Sequence, residues 1–190
     1  NSTITVLTHD GTSYKATVTG VESSNDLAVL KIDATGCNAV TFGDSDSMSV
    51  GDTVYAVGNP MGELQFTMTS GMVSALDRAV TTQDYSSAIN MFQIDAAINE
   101  GNSGGPVYNA NGEVIGIVTA KYSSSSSSST VEGLGFAIPV NDAKTIANDL
   151  MTKGYVTGKA YMGVSLDENY TSVYSQYYNL PNGAYVKFVE

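Results

Sequence analysis

Short β-branched runs separated by glycine-bearing turns recur along most of the chain, and this spacing does most to restrict its fold. Residues 3–8 (TITVLT) alternate, and Asp10-Gly11 supplies a hairpin turn into residues 14–21 (YKATVTGV). A third run, 27–32 (LAVLKI), follows. Beyond a loop carrying Gly36, Gly43 and Gly51 come runs at 53–57, 66–75, 91–94, 106–108, 113–120 and 134–138, with Asn111-Gly112 as the tight turn between two of them. Short strands at this spacing argue for an all-β sandwich or barrel rather than alternating βα units. One helix is predicted after the last run: Asn141 can cap it, Ala143, Ile146, Ala147 and Leu150 fall at helical spacing, and Gly154 sits where a C-terminal cap belongs. Past Gly158 the pattern changes, with a new strand at 161–166. A tail of about thirty residues cannot bury a core of its own, so it is an incomplete domain or an extension of the first. Seven consecutive serines, 123–129, offer nothing apolar to bury and read as a mobile surface loop.

Composition narrows the chemistry. At 190 residues the chain can bury a full core, and it holds no apolar run of the roughly 18 residues a membrane-spanning helix needs. Asp and Glu number 19 against 8 Lys and Arg, a net charge of −11, which repels a phosphate backbone and makes nucleic acid a poor partner. A single Cys and a single His cannot build a Cys/His zinc site or an internal disulfide. No metal or cofactor is implied, and the chemistry must rest on oxygen nucleophiles and carboxylates.

The informative stretch is DAAINEGNSGGP, residues 95–106. Gly101, Ser103 and Gly105 formally match the G-x-S-x-G nucleophile elbow, but that elbow needs a helix after the serine. Here a proline, a short strand, an Asn-Gly turn and another strand follow, and for the same reason no helix N-terminus is present to cradle a phosphate. Glycines flanking a serine do let the backbone point two N–H groups, those of Gly101 and Ser103, at one spot, as an oxyanion hole requires. A serine hydroxyl also needs a base, most often a His oriented by a carboxylate. The chain order Ser, Asp, His fails, because no His follows Ser103. The order Asp, His, Ser fails too, because none lies between Asp26 and Ser103. Only the order His, Asp, Ser can be completed, with a His before Asp26.

The blocks GNSGGPVYNANGEVIGIVTA (101–120), GLGFAIPV (133–140), SNDLAVLKI (24–32) and YAVGNPMG (55–62) resemble trypsin-fold serine proteases of the bacterial HtrA (DegP/DegS-like) family. The tail, KAYMGVSL (159–166) through LPNGAYVKFVE (180–190), resembles the opening of the PDZ domain that follows the protease in that family. The resemblance implies a chymotrypsin/trypsin-like double β-barrel, here with its first barrel incomplete, one connecting helix and the start of a PDZ-like domain. It divides the chain into a protease part, 1–157, and a PDZ-like part, 158–190. Position by position, Ser103 matches the nucleophile, Asp26 the triad acid, and Gly101, Asn102 and Ser103 the oxyanion loop. Ile98 and Leu134, with Tyr122 as a third, match the pocket for the residue before the scissile bond, and Thr119, Ala120 and Lys121 match the strand that pairs with substrate backbone. The family's catalytic His lies in a T-x-x-H-V-like motif upstream of the first strand of this sequence. His9 does not replace it, because it sits in a hairpin turn and reads as a solvated residue. The triad is thus incomplete, both ends of the sequence are expected to fall inside domains, and the chain is expected to be a fragment.

The activity so implied is endoproteolysis of unfolded or misfolded proteins through an acyl-enzyme. The family likeness further implies an extracytoplasmic place (periplasm, cell surface or secreted, with a membrane anchor upstream as one variant), a peptide ligand for the PDZ-like part, and a homotrimer at full length. Two alternatives stay open at this point: a catalytically inactive, chaperone-like peptide-binding homologue, and a Ser–Lys dyad using Lys121. Cys37, beside Gly36, reads as a small half-buried hydrophobe rather than a reactive thiol.

Overall fold

The computed structural model describes residues 3–81, 88–121, 133–158, 164–166 and 186–189. They form two compact units, Asn1–Val156 and Thr157–Glu190. The first unit opens with a three-stranded antiparallel sheet, β1 (Ile4–Leu7), β2 (Ser13–Glu22) and β3 (Leu27–Ile32), in that spatial order. Its first turn forms because Asp10 accepts from the Thr8 hydroxyl at 2.6 Å and from the Thr12 amide at 3.0 Å, while Gly11 takes φ +83°.

Six further strands close into a barrel: β4 (Thr53–Gly58), β5 (Thr67–Val80), β6 (Ile89–Ile94), β7 (Pro106–Tyr108), β8 (Val114–Lys121) and β9 (Gly135–Pro139). Their order around the barrel is β4-β5-β6-β9-β8-β7, with β7 returning to β4 through Tyr55↔Tyr108 and Ala56↔Val107. Closure gives every strand two neighbours, and the end of β8 beyond Ile117 runs past its pairing with β7. Inward-pointing Val54, Ala56, Val73, Phe92, Ile94, Val107, Ile115 and Val118 fill its interior. Gly116 makes room for the Phe92 ring, since a Cβ there would stand 2.5 Å from it.

The predicted strands fall where they were expected, with shifts at the ends. The largest is β5, which starts at Thr67 and runs on to Val80. Two register breaks and a left-handed Asp77 (φ 52°) bend it past the point where its alternation stops being readable.

The helix α1 (Val140–Lys153) follows β9 directly and ends at Gly154, φ +79°, whose N–H reaches the Leu150 carbonyl at 3.2 Å. Asn141 is not its cap. It lies inside the first turn, donating its backbone N–H to Ser45 Oγ (3.1 Å) and its side-chain Nδ2 to Asp44 Oδ1 (2.7 Å). The helix start is therefore satisfied by a loop far away in sequence. That contact holds the Asp44 carboxyl below the ordinary value, through the Asn141 hydrogen bond first and the Asp46 amide second. Asp142, one residue on, moves the other way, raised by burial and then by the charges of Asp46 and Asp77.

Val140, Ala143, Ile146 and Leu150 make the buried face of α1. Part of that face joins Val80, Ile89, Met91, Phe136 and Ile138 in a second core cluster, against which Leu27 of β3 also packs. Leu150 lies on Gly20 of β2, where a Cβ would come within 3.0 Å of it. The helix thus joins the three-stranded sheet to the barrel. In the second unit, β10 (Val164–Leu166) pairs antiparallel with β11 (Val186–Val189). Cys37 is exposed rather than half-buried. The serine run lies outside the described residues.

Leu150→Ala should lower unfolding stability by about 2–5 kcal/mol in urea titrations, whereas Met151→Ala, on the exposed face, should stay within about 0.5 kcal/mol. For Asp44 the sign follows from its lowered pKa: its contribution is present above the unfolded value and lost as pH falls through the folded one. The stability gap between wild type and Asp44→Ala should therefore be full at neutral pH and close below about pH 4.

Candidate active site

Asp26 and Ser103 come from different sheets and meet at one residue of β8. A 3-10 turn at Ser23–Asn25 precedes β3, held by Glu22, whose carboxylate accepts from the Ser24 amide and hydroxyl at 3.1 and 2.7 Å. The turn ends at Asp26 in a left-handed conformation, φ 54° and ψ 41°, which Asp tolerates better than most residues. Asp26 Oδ2 there accepts a hydrogen bond from the Thr119 hydroxyl. Thr119 is the extra residue of a bulge in β8, where Val118 pairs with Ala137 but Ala120 pairs with Phe136. A bulge re-aims the side chain it inserts. On its other end, the Thr119 carbonyl accepts from Ser103 Oγ at 3.3 Å.

The serine loop is framed on both flanks. Gly104 N–H donates to the Val118 carbonyl (2.7 Å), and Val118 N–H donates to Gly105 (2.9 Å), locking the loop to β8. On the β4 side Asn59 N–H holds the Gly101 carbonyl at 3.0 Å. Gly101 has φ +97°, and a Cβ on it would stand 2.1 Å from the Asn59 carbonyl oxygen. A Cβ on Gly105 would come equally close to the Val57 carbonyl. The Gly101 and Ser103 amides donate to no acceptor among the described residues, and Ser103 is exposed. Two N–H groups beside a serine hydroxyl can receive a developing oxyanion.

Asn102 enters this loop differently from what was expected of it. Its N–H is taken by the Asn99 carbonyl at 3.0 Å and its side chain is buried beneath the loop, so it builds the frame and does not face an oxyanion. Ile98 and Leu134 are likewise placed differently. Ile98 is packed in the barrel core against Gly135. Leu134 lines a cavity of about 430 Å³ with Arg78, Gln93 and Phe136. Ala120 and Lys121 pair through their backbones with Phe136 and Gly135 of β9. Tyr122 lies outside the described residues. His9 is an exposed turn residue, as expected; its ring lies tilted against Phe66 at 4.9 Å, and Phe66 walls a cavity of about 350 Å³ with Leu7, Asn59 and Gly101. Sequence reasoning missed Thr119 as the partner of Asp26, and missed Gly58 and Asn59 as the wall behind the loop. Among the described residues no group of His, Cys, Asp and Glu could hold a metal ion.

Residues 1–117 match the family described as "Trypsin-like peptidase domain". The chain is 45% identical over 169 residues to "Serine protease Do-like HtrA" of Bacillus subtilis, covering 87% of this chain and 36% of that protein. It is 42% identical over 194 residues to the protein of the same name in Lactobacillus helveticus, covering 98% and 46%. To the Chlamydia trachomatis protein named "Probable periplasmic serine endoprotease DegP-like" it is 45% identical over 167 residues, covering 86% and 31%. Among solved structures, "HtrA-type protease AlgW with decapeptide" superposes with a TM-score of 0.77 at 35% identity, over 99% of this chain and 56% of that one. The chain therefore spans less than half the length of these curated relatives.

The loop geometry separates neighbouring glycines. Gly104, at φ +82° with open space where a Cβ would go, should accept Ala for about 1–2 kcal/mol of conformational strain. Gly101→Ala adds a backbone clash to the same strain and should lose distinctly more. Urea denaturation of the two variants side by side checks the order.

Proposed function

The chain belongs to the trypsin-like peptidase family, in its HtrA branch, and we propose that it forms the nucleophile-bearing part of a serine endopeptidase. The observation that carries this reading is the convergence of Asp26 and Ser103 on Thr119, next to two N–H groups without protein acceptors among the described residues. In the proposed reaction Ser103 Oγ attacks a peptide carbonyl and gives its proton to an imidazole that Asp26 orients. His9, on an exposed turn with its ring tilted against Phe66, is not assigned that role. The Gly101 and Ser103 amides receive the oxyanion, the leaving amine takes the proton, and water hydrolyses the acyl-enzyme by the same route.

The substrate class is unfolded or misfolded protein, bound as an added strand along 119–121. The residue before the cut is taken to be aliphatic, after the apolar Leu134 and Phe136 that wall one cavity. Residues 158–190 are read as the opening of a PDZ-like domain that takes peptide termini, and the full-length protein as a trimer. An extracytoplasmic place is proposed from the names of the periplasmic relatives. No helix among the described residues is long and apolar enough to cross a membrane.

Ser103→Ala in the full-length protein should lower kcat on an unfolded protein substrate by about 10⁴–10⁶-fold. It should also abolish the mass adduct left by a fluorophosphonate probe. Cleavage that survives Ser103→Ala would overturn the assignment. A wild-type protein that takes no adduct but still captures unfolded chains would instead favour an inactive peptide-binding homologue.

A further inference from the structure

Asn102 is 1% exposed, yet its polar groups all bear on the loop that carries the oxyanion donors. Its side-chain Nδ2 donates to the Ala97 carbonyl at 3.2 Å, its N–H donates to Asn99 at 3.0 Å, and its carbonyl accepts from Gly105 at 2.9 Å. The first of these bonds closes residues 97–102 into a ring that includes Gly101 and ends beside Ser103. The Ala97 carbonyl is itself tied to the barrel wall, because it also accepts from the Thr69 hydroxyl of β5 at 3.0 Å. Asn102 Oδ1 has no hydrogen-bond partner among the described residues and lies against Gly58, where a Cβ would come within 2.3 Å of it. A buried acceptor so placed is destabilising. The amide is therefore a poor choice as mere filling, and what distinguishes it from an apolar side chain of the same shape is the single donor it gives to Ala97.

We propose that Asn102 is the positioning residue of the serine loop: its carboxamide, by closing the 97–102 ring onto the β5-anchored Ala97 carbonyl, fixes the direction of the Gly101 and Ser103 amides. The proposal rests on the reading of Ser103 as nucleophile. Asn102 touches neither substrate nor oxyanion; it acts through the ring it closes. A single hydrogen bond of this kind adds little to net stability, whereas a donor displaced by about 1 Å can lower a rate by about 10²-fold. The ring should thus matter more to rate than to folding.

The test uses the full-length protein, a fluorophosphonate probe, a peptide p-nitroanilide with an aliphatic residue before the cut, and urea unfolding. Asn102→Asp keeps the shape but removes the donor to Ala97. We expect kcat to fall about 10²-fold, with KM held within about twofold. The ratio of variant to wild-type rate should rise as pH falls, because the acid form regains an O–H that can donate to the Ala97 carbonyl. A variant less stable but unchanged in kcat, or a ratio flat with pH, overturns the proposal. Should Asn102→Asp not fold, Thr69→Val loosens the same carbonyl from the barrel side: a lower kcat with KM unchanged supports the ring, and an unchanged kcat overturns it. Wild-type protein unlabelled at Ser103 overturns the nucleophile reading and this proposal together. Equal labelling of wild type and variants overturns this proposal alone.

Discussion

Thr119 holds the site together from both of its ends. Its hydroxyl fixes Asp26, which closes the turn before β3, and its carbonyl takes the hydroxyl of Ser103, which sits on a barrel loop. Without the bulge at this residue, strict in–out alternation from the buried Val118 would govern where its side chain points. Two hydrogen bonds, each with a net contribution of about 1 kcal/mol, cannot hold a sheet on a barrel. The apolar contacts of α1 with Gly20, Val80 and Phe136 do that, and the polar contacts at Thr119 select one geometry from those the packing allows.

The serine loop departs from ordinary backbone economy, since it leaves two amides without a protein acceptor among the described residues. Buried, such groups would be heavily penalised. They are tolerable because Ser103 and Gly101 are exposed, where solvent satisfies them until a substrate carbonyl arrives. Around them the loop is bonded at several points: Gly101 through its carbonyl, Asn102 through both backbone groups, Gly104 and Gly105 through β8. Rigid bonding around two unengaged donors is the arrangement electrostatic preorganisation requires, because nothing has to reorient when charge develops.

Much of this was legible in the sequence wherever the physics is local. Strand centres showed through alternation, Gly154 through the left-handed cap it permits, and Ser103 through glycines whose missing side chains let Asn59 and Val57 approach. What stayed hidden depends on partners far along the chain. The helix starts before Asn141 because Ser45, 96 residues earlier, supplies its cap. Thr119 could be placed on a substrate-pairing strand, but its bond to Asp26 spans 93 residues and follows from a bulge that no spacing announces. Asn102 read as part of the oxyanion loop because it stands between Gly101 and Ser103; its burial makes it part of the frame instead.

The two halves of the site rest on unequal foundations. Ser103 and its amides hang from a closed barrel whose core residues Val54, Val73, Ile94 and Val107 are wholly removed from solvent. Asp26 hangs from a sheet of three strands in which Ile4, Leu7, Val18, Val21 and Leu30 are exposed and whose attachment runs through Leu27 and the α1 contact at Gly20. Apolar burial at about 25 cal/mol per Å² sets how firmly each element is held, so within these residues Asp26 is placed by the Leu27 and Gly20 contacts together with its hydrogen bond to Thr119.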